Sequence, residues 1–493
     1  MSTKTGNPYK GNIKILMLTT FAFFITFVVW FNMAPFVATI KETLNLTDQE
    51  VGVLLTMNVA LTIPARVIIG MLVDRFGPRK VYSSLMAIMS IPCFMFALGE
   101  SFVQLFIART LLAMIGAGFV IGIRMVSEWF PAKHLGVAEG VYGGWGNFGS
   151  AAAAFTLPLI AVYIMEHSFG LENGWRWAIG FTGLVSLLYS FIYFKSVKDT
   201  PEGRQFKRPK RSGAMEVSNY GDMIFLMAMT LPMYVILGVL TWKVQGLGLI
   251  NSGISSLIYG LLALLFISNC YKIWSVNKEH IQEGVQEKEK YSFKQVAILD
   301  LAYFCTFGSE LAVVSMLPLF FLTTFNLSVT QAGMIASSYA FMNLVARPSG
   351  GWLSDKFGRK KTLTILVAGL SVTYLCMGFV NASWSIIAAV ILTMTCSFFV
   401  QAGEGSVFSM VPLVKKRLTG QVAGMVGAYG NVGATTFLTV LTFVSPQAFF
   451  VVIGCASLVC FAACFFLKEP DVEAIEQQAA EVEEDMVGEK VVA

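Results

Sequence analysis

The chain has 493 residues, 56% of them hydrophobic and only 13% charged, with a mean hydropathy of +0.68 and a formal charge of +5. Soluble domains carry about a quarter of their residues as charges, so the composition excludes a soluble enzyme or scaffold and indicates a polytopic membrane protein. The basic residues sit in short segments between apolar runs, a topology signal that leaves nucleic-acid binding without support.

The polar N-terminus, MSTKTGNPYKGNIK, has no cleavable pattern, so the first apolar run is expected to be retained. Runs longer than the roughly 18 residues that cross a bilayer follow as spans 1–6, at 13–40, 50–73, 79–98, 102–128, 136–165 and 174–194. Spans 7 and 8, at 221–243 and 246–275, lie between KSVKDTPEGRQFKRPKRSG and NKEHIQEGVQEKEKYSFK, two polar segments that read as linkers. Spans 9–14 follow at 294–324, 330–353, 360–380, 383–412, 418–444 and 446–467. The acidic tail from Lys468 reads as a frayed helix or disorder. With the N-terminus inside, the cytoplasmic segments and span ends hold 28 of the 35 lysines and arginines; the outer side holds only Lys41, Arg176 and Lys243, and four lie deep within spans. The expected topology is a multi-pass protein of the cytoplasmic membrane with both termini cytoplasmic.

The eight cysteines lie in apolar spans without CxxC spacing and read as small buried hydrophobes; the three histidines lie in loops or at span ends. The sequence carries no nucleophile–base set, phosphate loop or polar metal cluster, so neither catalysis, a cofactor nor a metal is expected.

An internal repeat organises the chain. ARVIIGMLVDRFGPRK (65–80) returns as ARPSGGWLSDKFGRKK (346–361), an offset of 281 that maps Arg66 on Arg347, Gly70 on Gly351 and Asp74 on Asp355. The offset then steps to 284, mapping Gly136 on Gly420, Gly140 on Gly424 and Asn147 on Asn431. Each half therefore carries six equivalent spans: 1–200 is the first half, 201–293 holds the linkers and an inserted hairpin at about 221–275, 294–467 is the second half, and 468–493 the tail. Duplicated six-helix halves are the construction of alternating-access transporters, with the substrate site between them near mid-membrane. Asp74 and Asp355, at helix ends beside basic residues such as Arg79 and Arg359, are expected to form ion pairs that hold one gate conformation.

Charges inside spans cost roughly 2.5–3.5 kcal/mol each and usually line a cavity; the deepest here are Arg66, Arg109, Arg124, Glu310, Arg347 and Glu404. Arg124 and Glu128, four apart, read as a local ion pair. Arg66 and Arg347 each lie eight residues above their gate aspartate and near a proline, Pro64 or Pro348, that can free a carbonyl and bend the helix. Two symmetric guanidiniums facing one cavity favour a small anion between them, and their planar fork suits flat oxyanions. Gly140, Gly143, Gly144 and Asn147 share one helical face, as do Gly424, Gly427, Ala428 and Asn431. The small residues permit close helix packing; an amide at the matching place in both copies can donate to an oxyanion without adding charge.

The gate loops GMLVDRFGPRK and GWLSDKFGRKK resemble the signature of the major facilitator superfamily. The helices GVYGGWGNFGSAAAAF and GMVGAYGNVGATTF resemble the paired signature of its nitrate/nitrite porter family, a resemblance that covers 13–194 and 294–467. It implies an all-α major facilitator fold and a transporter of nitrate or nitrite. In that family the arginines of the second and eighth core helices clamp the anion, which implies Arg66 and Arg347, and the signature asparagine contacts it, which implies Asn147, with Asn431 as its repeat equivalent. The seventh core helix supplies aromatics, here Tyr303 and Phe307, and MIGAGF in the fourth suggests Phe119 as a pocket wall; in these two places the chain departs somewhat from the family form. The hairpin is absent from the twelve-span members.

Tyr303, Phe307 and Glu310 fall at i, i+4 and i+7, so a carboxyl shares the face of the pocket aromatics and can carry a proton with the substrate. The expected activity is proton–nitrate symport, with nitrate/nitrite exchange as the alternative, and a single chain is expected to suffice. Transport of another small anion such as formate or phosphate, or anion sensing without transport, also accommodates two arginines.

Overall fold

The computed structural model describes residues 11–170, 172–209, 213–286 and 289–476, and every regular element among them is helical. Twelve helical segments are long and apolar enough to cross a membrane. The helices of spans 10 and 13, Val329–Phe341 continuing as Asn343–Phe357 and Thr419–Leu441, bring the number to fourteen. These two are less apolar because they carry Arg347, Asp355 and the Gly–Asn face that the centre of the molecule uses. Spans 5 and 10 pack together, as do 2 and 13, so each pair joins the two halves.

Four spans are broken near their middles. Span 2 runs Asp48–Ala60 and Thr62–Phe76, and span 4 passes through a 3-10 turn, Ala113–Ala117. Span 9 breaks at Thr306 (φ −82°, ψ −78°) and span 10 at Met342. Irregular backbone at membrane depth survives only where its polar groups find partners. Here Thr62 Oγ1 donates to the Ala113 carbonyl at 2.6 Å and Trp30 Nε1 to the Asn58 carbonyl at 2.7 Å. Pro348 has no N–H for the Leu344 carbonyl four residues earlier; Trp145 Nε1, from the other half, donates to it at 3.3 Å.

The segments read as linkers are packed. Span 8 extends as Ser252–Gln282, past its expected end, and Asn277 there binds the Val217 N–H and the Met215 carbonyl. The start of the tail is also fixed, against the expectation of fraying. Glu469 accepts from the N–H groups of Arg359 and Lys360 at 2.7 Å each, capping the helix Arg359–Met377. Asp199 treats the Arg79 N–H in the same way after span 6, so the repeat includes a capping acid. Residues 477–493, where the rest of that expectation falls, lie outside the described residues.

Candidate functional site

The glycine faces exist to admit arginines. A Cβ at Gly140 would stand 2.7 Å from the Arg347 carbonyl oxygen, and one at Gly143 would stand 2.5 Å from Arg347 Nε. In the other copy, a Cβ at Gly424 would stand 2.5 Å from the Arg66 carbonyl oxygen, and one at Gly427 would stand 3.1 Å from Arg66 Cδ. Each half's signature helix thus seats the arginine of the opposite half, and both arginines are fully buried.

The two guanidiniums share a stack of rings. Tyr142, Phe119, Tyr303 and Phe307 lie nearly parallel; Phe119 and Tyr303 are inclined by 1° and Tyr303 and Phe307 by 2°, while Phe119 and Tyr142 differ by 13°. Phe408 meets Phe119 and Tyr303 edge-on at 4.6 and 4.8 Å. The Arg66 guanidinium carbon is 5.6 Å from the Phe119 centroid and 5.2 Å from that of Phe307; the Arg347 carbon is 5.2 Å from Phe119. Phe119 therefore serves both cations, at distances where ring quadrupoles stabilise charge.

The repeat is broken by the partners of the two arginines. Arg66 donates from Nη1 to the Gly427 carbonyl at 2.6 Å and from Nε to the Gly116 carbonyl at 3.4 Å. With its amide oxygen facing the guanidinium, Asn431 accepts from Arg66 Nε at 3.3 Å and Nη1 at 3.2 Å. No described carboxylate pairs with Arg66. Arg347 instead forms an ion pair with Glu404 and donates to Tyr303 Oη at 3.2 Å. Glu404 follows Gln401 by one turn of span 12, which sets it beside Glu310. Glu310 accepts from Asn343 Nδ2 and, at 3.4 Å, from Gln401 Nε2. One oxygen of each acid, Glu404 Oε1 and Glu310 Oε2, is buried without a hydrogen bond. Glu404 thus balances Arg347 directly, and Glu310 stands behind it.

Asn147, one turn beyond Gly143 on the same face, makes no side-chain hydrogen bond among the described residues, although it is buried. Its counterpart Asn431 is committed to Arg66. Glu139, two turns from Asn147 toward the gate loops, is buried with neither carboxyl oxygen hydrogen-bonded among the described residues.

The two loop aspartates, Asp74 and Asp355, bind across the halves. Asp74 accepts from the Gly420 and Gln421 N–H groups at 2.9 Å each, and Asp355 from those of Gly136 and Val137 at 3.0 and 2.8 Å. Each carboxylate caps the first turn of the opposite half's signature helix, where the helix dipole favours negative charge. Arg359 pairs with Asp355 at 2.6 Å. Arg79 does not reach Asp74: it donates to the Phe194 carbonyl at 2.7 Å and stacks on the Phe194 ring. The cation beside Asp74 is Arg124, at 3.4 Å, which also pairs with Glu128 at 2.9 Å. Pro78 stands where the other copy has Arg359, so the first half draws its cation from span 4. Arg109 is tied to the Trp30 carbonyl and the Asn32 amide away from these groups.

Sequence reasoning passed over Tyr142, Phe408 and the carbonyls of Gly116 and Gly427. Tyr142 lay inside the quoted signature, and its place between Gly140 and Gly143 was the available signal.

A family model described as Major Facilitator Superfamily matches residues 19–274 and 299–490. The nitrate/nitrite transporter NrtP of Picosynechococcus sp. is 47% identical over 96% of this chain and 96% of its own length. The protein of the same name from Nostoc punctiforme is 46% identical over 94% and 93%. The crystal structure of the human organic anion transporter MFSD10 superposes with a TM-score of 0.62 over 92% of this chain and 99% of that one, at 14% identity, a likeness of fold alone.

Proposed function

The chain belongs to the nitrate/nitrite porter family of the major facilitator superfamily, and from that premise we propose that it moves nitrate, and nitrite, across the cell membrane by alternating access, one proton accompanying each anion. The relatives' names supply the substrate class. The parallel rings, two guanidiniums and one unbonded amide suit a planar oxyanion better than tetrahedral phosphate. One chain supplies every part of this site, so a monomer is sufficient.

The observation that carries the proton is the Glu404–Glu310 pair beside Arg347. With both acids ionised, the two arginines are balanced. An anion binding between the arginines brings one uncompensated charge into a buried site, and drawing Arg347 toward it strips Glu404 of its partner. Leaving a buried charge unpaired costs about 3–5 kcal/mol, and a proton shared by the two carboxyls removes that cost. Glu139, between the pair and the gate, can take the proton onward. Glu404→Gln and Glu310→Gln are each expected to reduce gradient-driven nitrate uptake into proteoliposomes by roughly tenfold or more, the scale of one lost hydrogen bond to a charged group. Uptake indifferent to an imposed pH gradient but dependent on internal nitrite would overturn symport in favour of exchange.

The gate-loop side faces the cytoplasm in this reading, with both termini there, because the lysines and arginines gather on it. The reciprocal caps of Asp74 and Asp355 hold that side closed. Asp74→Asn exchanges charge-assisted for neutral hydrogen bonds at one clasp, a loss of about 1–2 kcal/mol. A cysteine placed at Gln421 is expected to label several-fold faster from the cytoplasmic side in Asp74→Asn than in the wild type. Equal rates would remove Asp74 from the gate.

A further inference from the structure

The inserted hairpin encloses, with span 2 of the first half and span 13 of the second, a groove that the proposed transport cycle does not use. Its inner part is a largely apolar cavity of about 250 Å³ between spans 2, 7, 8 and 13, walled by Val67, Met71, Met233, Leu237 and Met425, with Asn269 and Lys272 of span 8 also at its lining. Its outer part is a wider recess of about 530 Å³ lined by Arg75, Lys80 and Arg208. The two share Ile68, Met71, Gly213 and Gln421, so one continuous cleft runs from a methionine-rich slot to a basic mouth on the gate-loop side. All three cations are exposed, and none is ion-paired to a described carboxylate. Asp199, the acid whose field Lys80 shares, is taken by the Arg79 N–H.

We propose that this cleft binds an anionic phospholipid, one acyl chain lying in the apolar slot and the phosphate head among Arg75, Lys80 and Arg208. An apolar slot opening beside unpaired cations at a membrane face matches both parts of such a molecule. Flexible methionine side chains conform to an irregular hydrocarbon chain. The lipid also gives the hairpin a place in the mechanism. Gln421 lines both parts of the cleft, and its N–H is one of the two that Asp74 holds. An occupied cleft therefore braces the closed gate against spans 7 and 8.

The full chain, purified in neutral detergent, tests this with phosphatidylglycerol, phosphatidylcholine of the same chain length and inorganic phosphate, read by thermal-unfolding midpoint and by lipid retained in native mass spectra. Phosphatidylglycerol is expected to raise the midpoint and be retained, and the other two to do neither. Each cation near an anionic head is worth roughly fivefold in affinity, so Arg75→Gln, Lys80→Gln and Arg208→Gln together should weaken retention on the order of a hundredfold. Ser268→Phe, which fills the slot and leaves the cations in place, should also abolish it. Equal protection by phosphatidylcholine, wild-type retention in the triple variant, or protection by inorganic phosphate alone would each overturn the proposal.

Discussion

Arg66→Lys is expected to weaken nitrate binding on the order of a hundredfold while leaving the fold intact, measured by titration of the purified protein and checked by its unfolding midpoint. Charge is conserved, so a loss must come from geometry. The guanidinium of Arg66 already serves Asn431, Gly427 and Gly116 with Nε and Nη1, and no described acid competes for its remaining donors. An ammonium has three donors on one atom and cannot hold that frame and an oxyanion at once. Losing one or two hydrogen bonds to a charged group costs about 1.5–3 kcal/mol each, which sets the expected scale. Nitrate affinity unchanged in Arg66→Lys would contradict a clamp that depends on the planar fork.

Gly424→Ala and Gly140→Ala are expected to reduce transport by about ten- to a hundredfold without preventing insertion. The added methyl would press on a backbone carbonyl, that of Arg66 or Arg347, at 2.5 or 2.7 Å. Backbone cannot rotate aside, so spans 2 and 13, or 5 and 10, must part. Overpacking of this kind costs typically about 1–3 kcal/mol, and here it falls on the closed arrangement and displaces an arginine. Gly260→Ala and Gly333→Ala, where a Cβ meets nothing within 4 Å, are the matched controls and should transport normally. Equal loss in all four variants would mean that helix stability, not arginine seating, is what the glycines serve.

The architecture was legible because it is written in local signals. Apolar run length gives the spans, and the offset of 281 residues gives the two halves. The two spans of weakest hydropathy are those that carry Arg347 and Asn431, since residues needed at the centre displace apolar ones. The site was legible in its members and less so in its pairings. Arg66, Arg347, Asn147 and Asn431 stand out as polar groups repeated in register. That Glu404 pairs with Arg347, 57 residues away, follows from the packing of spans 10 and 12, which no spacing encodes. The cross-over of each signature helix onto the other half's arginine is likewise a tertiary fact. Arg79 misled because neighbours in sequence at a helix end need not face each other; Asp74 turns toward span 13 and Arg124, and Arg79 toward span 6. The caps by Asp199 and Glu469 had a signal, an acid soon after the last span of each half, hidden by the polar company around it.

Asymmetry between the copies is the core of the proposed mechanism. In the mechanism we propose, Arg66, with Asn431 fixed on it, is left for the anion, and Arg347, with Asn147 unbonded, is released from its carboxyl. A perfectly duplicated site would hold two equivalent cations and need no proton. The most direct test is therefore the number of protons that enter with each nitrate, followed with an internal pH dye and a nitrate assay in proteoliposomes without nitrite. One proton per nitrate, falling toward zero in Glu404→Gln, is the predicted result. Nitrate entry with no accompanying proton in the wild type would contradict it.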